Sequence, residues 1–183
     1  MYSNSLARKL TSDLRLSGLT KQLLLLASIE QNKISLTKKP FNFKTRVQEV
    51  VRDHMYAVNQ KDIFLTTSLQ DVMVEGDRDL CYQIIANLLS NAVKYSPKDS
   101  EINLTLSETN GKKIFTISDT GYGMTEETQK MIFERFYKSN VYEDNTTSSG
   151  LGMSIVKVIL DAHVFNIDIN STVGEGTKIS IEL

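Results

Sequence analysis

Asn87 and Asn91 lie four residues apart, and Lys94 and Tyr95 follow Asn91 by three and four. On a helix those offsets share one flank. Asparagine is a poor helix-interior residue, because its amide competes for backbone groups. Two of them stacked beside an apolar stripe suggest polar work in a half-buried cleft. An amide oxygen is a hard ligand suited to Mg²⁺, and a lysine is a point charge for phosphate. An ordinary solvated stripe would have the same composition. A second constellation is Asp119, Gly121 and Gly123, in Asp-Thr-Gly-Tyr-Gly just past an alternating stretch. A carboxylate at a strand end can accept a hydrogen bond from an exocyclic amine such as that of adenine. The glycines let backbone approach a flat ring. By itself the run equally suits a plain turn.

Three weaker stretches complete the inventory. In Ser149-Gly150-Leu151-Gly152-Met153, glycines open a helix whose N–H groups and dipole favour phosphate, or else form a loop with no ligand. In Phe133-Glu-Arg-Phe-Tyr-Lys138, the two phenylalanines are expected to anchor the base of a following loop. Arg135 and Lys138 are candidate phosphate contacts there, though a short amphipathic segment with solvated charges is the competing reading. Gly174-Glu-Gly-Thr177 reads mainly as a hairpin turn.

These residues need elements to hold them. Asp77 is a good N-cap for a helix to about Tyr95, with Leu80, Ile84, Leu88 and Ala92 as core stripe and Pro97 as stop. Asn110-Gly111 joins two alternating runs, Ile102 to Leu106 and Lys113 to Ser118, as a hairpin. Thr125 caps a short helix to about Phe133, residues 134–149 form a mobile loop, and a helix runs from about Leu151 to Ala162. Strands are expected near 63–67, 72–75, 166–170 and 177–183, and a helix from Phe43 to about Asn59 has Val47, Val50, Val51 and Met55 inward. Helices interleave with hairpin-joined strands, which predicts an α+β two-layer sandwich with a mixed sheet. Ahead of it, Leu16, Leu19, Leu23 and Leu26 mark a long leading helix. That helix belongs to a hairpin or bundle, with a dimer interface in view, or packs on its own domain. Pro40 ends the leading region, and the division is 1–32 and 33–183.

Composition narrows the classes. The 183 residues are 40% apolar with a net charge of −1, which fits a globular domain and argues against a nucleic-acid binder with a broad basic face. One cysteine, Cys81, leaves no intrachain disulfide, and two distant histidines argue against a zinc enzyme. The longest apolar run, Leu23 to Ala27, falls far short of the roughly 18 residues of a membrane span, and no signal peptide is read at the start.

Taken in order, Asn87-Leu-Leu-Ser-Asn91-Ala-Val-Lys-Tyr-Ser, Asp119-Thr-Gly-Tyr-Gly, Phe133-Glu-Arg-Phe-Tyr-Lys, Gly150-Leu-Gly-Met and Gly174-Glu-Gly-Thr resemble the five sequence boxes of sensor histidine kinases, within the GHKL superfamily. The resemblance covers about residues 40–183, and five boxes in order are far more specific than one. It implies the Bergerat ATP-binding fold preceded by the second helix of a dimerisation and phosphotransfer hairpin, carried by Leu23 to Glu30. It also implies ATP and Mg²⁺ as ligands. Asp119 would take the adenine amine, with Gly121 and Gly123 beside the ring and Tyr95 packed on it. Asn91 would ligate Mg²⁺ with Asn87 alongside, and Lys94 would meet phosphate. Gly150, Leu151 and Gly152 would shape the phosphate pocket under a 134–149 lid, with Arg135 and Lys138 closing on the γ-phosphate. The implied partners are a response regulator, a phosphoacceptor helix and a second copy through the leading helix. The implied setting is the cytoplasmic part of a membrane-anchored parent.

The departures are specific. Ser148 stands where the second glycine box usually opens with glycine, and Val164-Phe165 follow His163 where the family often has two glycines. No histidine followed by an acidic residue precedes residue 30, so the chain is expected to bind Mg²⁺-ATP without phosphorylating itself. His54 is expected at a helix surface or half-buried, and His163 at a helix end, where a cationic tendency suits the dipole. The GHKL ATPases resembling gyrase, mismatch-repair or chaperone enzymes carry a glutamate base four residues before the metal-binding Asn. Here that position is Asn87, an amide that takes no proton. A silent nucleotide-binding or dimerising module is the non-enzymatic alternative.

Overall fold

The computed structural model describes residues 36–138 and 149–183. The proposed leading helix and residues 139–148 of the proposed lid, Ser148 among them, lie outside that range. The described chain runs β1 (Lys39–Asn42), α1 (Phe43–Gln60), β2 (Phe64–Leu69), β3 (Met73–Gly76), α2 (Arg78–Tyr95), β4 (Glu101–Thr109), β5 (Lys112–Asp119), α3 (Glu126–Met131), α4 (Gly152–His163), β6 (Asn166–Thr172) and β7 (Gly176–Glu182).

Five strands form one mixed sheet in the order β2-β4-β5-β7-β6, with β2 parallel to β4 and the other neighbours antiparallel. Alternation puts Ile102, Leu104, Leu106, Phe115, Ile117, Ile179 and Ile181 on the buried face. The apolar stripes of α1, α2 and α4 join them in one core, giving the expected two layers. Asn110 and Gly111 both have positive φ, as a two-residue hairpin between Thr109 and Lys112 requires.

Helix starts follow their caps. The Asn42 side chain accepts from Lys44 N–H, and Thr125 accepts from Thr128 N–H. Asp77 Oδ1 accepts from the amides of Asp79 and Leu80, and its Oδ2 accepts from Thr37 N–H at 3.1 Å. Arg46 reaches from α1 to Asp79 at 2.6 Å and to Glu49, which also holds Arg78 at 2.9 Å, so α1 is tied to the start of α2.

One strand went unread, and two expectations need correction. Pro40 sits inside a strand: β1 pairs antiparallel with β3, Pro40 opposite Glu75, in a separate two-stranded ribbon that tolerates proline at its edge. Phe136 does not anchor the loop base with its ring, which is 64% exposed, whereas Phe133 packs against the core. Phe136 instead takes φ 61° and donates its N–H to Gly150 O at 3.0 Å. His163 is buried, not a solvated cation. Its Nε2 accepts from Asp77 N–H at 2.9 Å, so Nδ1, 2.8 Å from Ile159 O, carries the proton. Burial pushes its pKa down, reinforced by Lys38 and opposed by the Ile159 bond and Asp77, so it is neutral at pH 7. His54 is half-buried on α1, as expected, with Nδ1 2.8 Å from Val50 O.

Candidate nucleotide site on helix α2

Helix α2 buries Cys81, Ile84, Ile85, Leu88, Leu89, Ala92 and Val93. Its flank carries Asn87, Asn91, Lys94 and Tyr95, all half-buried. Asn87 Nδ2 donates to Gln83 O at 2.9 Å, which leaves its Oδ1 facing Gly152. A Cβ placed on Gly152 would lie 3.0 Å from that oxygen. The Asn91 side chain makes no hydrogen bond to another described residue. The Lys94 ammonium lies 3.1 Å from Tyr95 Oη and 4.6 Å from the ring centroid.

At the other end of the flank, Tyr95 O accepts from Tyr122 N–H at 3.0 Å. A Cβ on Gly121 would meet Tyr95 O at 2.5 Å, Asp119 Oδ1 at 2.7 Å and Ser96 Oγ at 3.0 Å. Only glycine lets the acidic loop press so closely on the helix end. Asp119 Oδ1 accepts from Gly121 N–H at 2.9 Å. Burial raises the Asp119 pKa, opposed by the amides of Gly121 and Thr177. Gly176 presses on Asp119 O, and Gly123 on Thr172 O, each leaving 1.9 Å to a would-be Cβ. The Gly174–Thr177 turn, given little weight from sequence, therefore forms the back of the acidic loop. Ser96 closes the first box but was given no role from sequence. It is fully buried and its hydroxyl has no partner among the described residues.

Helix α4 supplies the other wall. Its N-cap, Leu151, offers no side-chain cap to the first amides of the helix among the described residues. The Leu151 side chain is fully buried in the core, so only its main chain is left for a ligand. Gly150 has φ 72°, and a Cβ there would meet the Phe136 main chain at 2.8 Å, which closes the loop base. Arg135 and Lys138 are exposed next to that clamp. The structure thus joins Asn87 to Gly152 and Tyr95 to Gly121 and Asp119, with Asn91 midway between. From Asn87 to Tyr95 is about 12 Å of helix.

A profile of the family described as histidine kinase-, DNA gyrase B-, and HSP90-like ATPase matches residues 76–183. The chain belongs to that family. It is 35% identical over 167 residues to the heme sensor protein HssS of Staphylococcus saprophyticus, covering 91% of this chain and 36% of the relative. To HssS of Staphylococcus epidermidis it is 36% identical over 157 residues, covering 86% and 34%. The chain thus spans about a third of the length of these relatives. Among solved structures, the Acinetobacter baumannii histidine kinase AdeS matches with TM-score 0.80 and 23% identity, over 95% of this chain and 80% of that one. Full-length ShkA in complex with AMPPNP matches with TM-score 0.79 and 24% identity, over 96% and 38%. In fold, the described residues match those histidine kinase structures, the architecture expected from the five boxes.

Proposed function

We propose that this chain is the ATP-binding kinase part of a sensor histidine kinase. It would move the γ-phosphoryl of ATP to a histidine on a dimerisation helix, for relay to a response-regulator aspartate. The observation that carries this reading is the pair of contacts on α2: Gly152 at Asn87 and Gly121 at Tyr95, with Asn91 between. A purine fits the Asp119 end, where an acceptor carboxylate, two close-packed glycines and the orphan Ser96 hydroxyl meet. A triphosphate fits the Gly150–Gly152 end, where the N-cap Leu151 gives the helix amides no side-chain cap among the described residues.

The residues also fit a magnesium ion. Mg²⁺ keeps waters and phosphate oxygens around it and needs few protein ligands, and the Asn91 amide is half-buried with its oxygen unengaged. When bound, the ion neutralises charge on the phosphates. Asn91 would hold it with Asn87 beside it, and Asp119 would fix the base through its amine. Tyr95 packs on the ring with Gly121 and Gly123 beneath the loop. Lys94 serves the phosphates by swinging from Tyr95. Leu151, between Gly150 and Gly152, contributes main chain alone. Arg135 and Lys138, exposed beside the Gly150 clamp, would meet the γ-phosphate. An imidazole nitrogen then attacks the γ-phosphorus while the bridging oxygen leaves on ADP. Placement and charge neutralisation are what such a transfer asks of a protein. The proposed parent is membrane-anchored, with this part cytoplasmic and paired to a second copy through the leading helix.

Titration of the whole chain with a fluorescent ATP analogue, with and without Mg²⁺, tests the reading. Binding is expected to tighten with Mg²⁺, and Asn91→Ala to abolish that dependence while keeping residual binding. Absence of binding at high micromolar chain, or an Asn91→Ala variant with unaltered metal dependence, would defeat it. Radiolabel from ATP is expected to appear on a separate polypeptide carrying the phosphoacceptor hairpin, and not on this chain alone.

A further inference from the structure

We infer that Lys61 is a positioning residue for the nucleotide site, its ammonium holding the C-terminal end of α2 so that Lys94, Tyr95 and the Asp119 loop keep their places. This rests on the nucleotide reading above and adds a residue outside the five boxes.

The last carbonyls of a helix have no partner within it. Many helices end on a left-handed residue whose amides turn back to close them. Helix α2 does not: its C-cap, Ser96, is extended at φ −97° and ψ 131°, and Pro97 has no N–H to give. Lys61 Nζ fills the gap. It donates to Val93 O at 2.9 Å, Lys94 O at 2.8 Å and Ser96 O at 2.9 Å. The remaining carbonyl of that stretch, Tyr95 O, takes the Tyr122 amide from the acidic loop. Residues 93 to 96 are therefore gripped from both sides, by one ammonium and by the loop that carries Asp119. A cation there also matches the negative end of the helix dipole.

Lys61 is itself held where this grip requires. Its N–H donates to Val58 O at 3.2 Å, and its carbonyl accepts from Asp99 N–H at 3.2 Å. The flanking turns bend through left-handed Asp62 and Asp99, at φ 50° and 62°. Phe64 N–H donates to Ser100 O at 2.8 Å where β2 and β4 start side by side. The α1–β2 turn is thus laced to the α2–β4 turn, and the lysine stem starts from a fixed point. Without the ammonium, three carbonyls at a half-buried helix end lose their donor, and the last turn is free to unwind. Tyr95 O would then shift against Gly121, which leaves no slack: the space for a Cβ there is already 2.5 Å deep.

The test uses the whole chain with Lys61→Met, Lys61→Gln, Lys61→Arg and the exposed control Lys98→Ala. Amide hydrogen exchange is followed at residues 93–96 and Tyr122, against Asp79–Ile84 at the far end of α2. Trinitrophenyl-ATP with Mg²⁺ is titrated at a temperature where circular dichroism shows every variant folded. For Lys61→Met, exchange at the first set is expected to quicken about tenfold and affinity to fall about tenfold, with Asp79–Ile84 unchanged. Lys61→Arg restores most of both because its donors remain, and Lys98→Ala stays within about twofold of wild type. A merely structural lysine would lower global stability without this local pattern. Should Lys61→Met not fold, Lys61→Gln, with donors but no charge, is expected to show the same pattern at smaller size. Wild-type exchange at 93–96, or wild-type affinity, in a folded Lys61→Met or Lys61→Gln chain overturns the assignment. A wild-type chain that binds no analogue sinks the nucleotide reading instead, and the exchange arm still decides whether Lys61 holds the helix end.

Discussion

Gly121→Ala offers a sharp probe of the site, because its effect is steric and not conformational. Gly121 does not have the left-handed φ that favours glycine, so alanine adopts its backbone without strain. The added methyl, however, lands 2.5 Å from Tyr95 O and 2.7 Å from Asp119 Oδ1. Ordinary contact begins near 3.4 Å, so the loop and the helix end must part by about 1 Å. Tyr95 O is backbone and cannot rotate away. Overpacking of this kind costs about 1–3 kcal/mol, and lengthening the Tyr122–Tyr95 and Gly121–Asp119 hydrogen bonds adds about 1 kcal/mol. A loss of about 2–4 kcal/mol in urea unfolding follows. Displacing the Asp119 carboxylate should also weaken analogue binding by about tenfold or more, the worth of one charge-assisted hydrogen bond. Gly111→Ala is the matched control. There φ is +79° with nothing within 4 Å, so only backbone strain of about 1 kcal/mol is expected, with affinity unchanged. If Gly121→Ala proves no less stable than Gly111→Ala and binds the analogue like wild type, the close approach of loop and helix described here is wrong.

Val164→Gly should stabilise the chain. Val164 closes α4 at φ 66°, a left-handed conformation that costs a β-branched residue about 1–2 kcal/mol, and at 82% exposure its side chain buries little. After the entropy that glycine loses on folding, a net gain of about 0.5–1 kcal/mol in urea unfolding is expected, and a loss would contradict the strain argument. His163 sets a pH dependence. Its folded pKa lies below the ordinary 6.5, so the unfolded chain binds the extra proton first. Its contribution is complete above about pH 6.5 and falls as pH drops from there toward the folded value, by up to about 1.4 kcal/mol per pH unit. The difference in stability between wild type and His163→Gln, followed from pH 8 to 5, should shrink across that window. A constant difference would mean that His163 is charged or solvated.

What the sequence made legible was local. Asn110-Gly111 forces its own hairpin, Asp77 and Thr125 cap the residues that follow them, and α2 carries its apolar stripe in four-residue steps. The two asparagines could be placed on one flank because helical spacing alone decides that. The unread features depend on partners distant in the chain. Pro40 looked like a terminator because its strand exists only by pairing with residues 73–76. Cys81 and Val93 fall outside a single stripe and are buried because α2 meets helices on two sides as well as the sheet. His163 resembled a charged helix end until Asp77, 86 residues away, supplied a donor for its second nitrogen. The Phe136 ring was given an anchoring role that its main chain performs. Lys61 carried no sequence signal and Ser96, though the last residue of the first box, no assigned role, since a lysine after a helix and a serine before a proline are ordinary surface residues until folding brings carbonyls to one and closes solvent off from the other.

The position of Asn87 bears on transfer as against hydrolysis. On the proposed reading, a water-activating base would have to sit near the triphosphate, four residues before Asn91, the asparagine proposed to bind the metal. The structure puts an amide there, its Nδ2 held by Gln83 O and its Oδ1 turned to Gly152. An amide oxygen can accept a hydrogen bond from water but cannot remove its proton at any working pH. The carboxylate among the proposed site residues, Asp119, sits beside the Tyr95 end of α2, where Gly121 and Thr177 engage it, and Tyr95 is about 12 Å of helix from Asn87. A pocket so arranged can grip, orient and neutralise a triphosphate without generating its own nucleophile. It favours a nucleophile that arrives already unprotonated near neutral pH, and a neutral imidazole nitrogen meets that requirement where a serine hydroxyl or water does not.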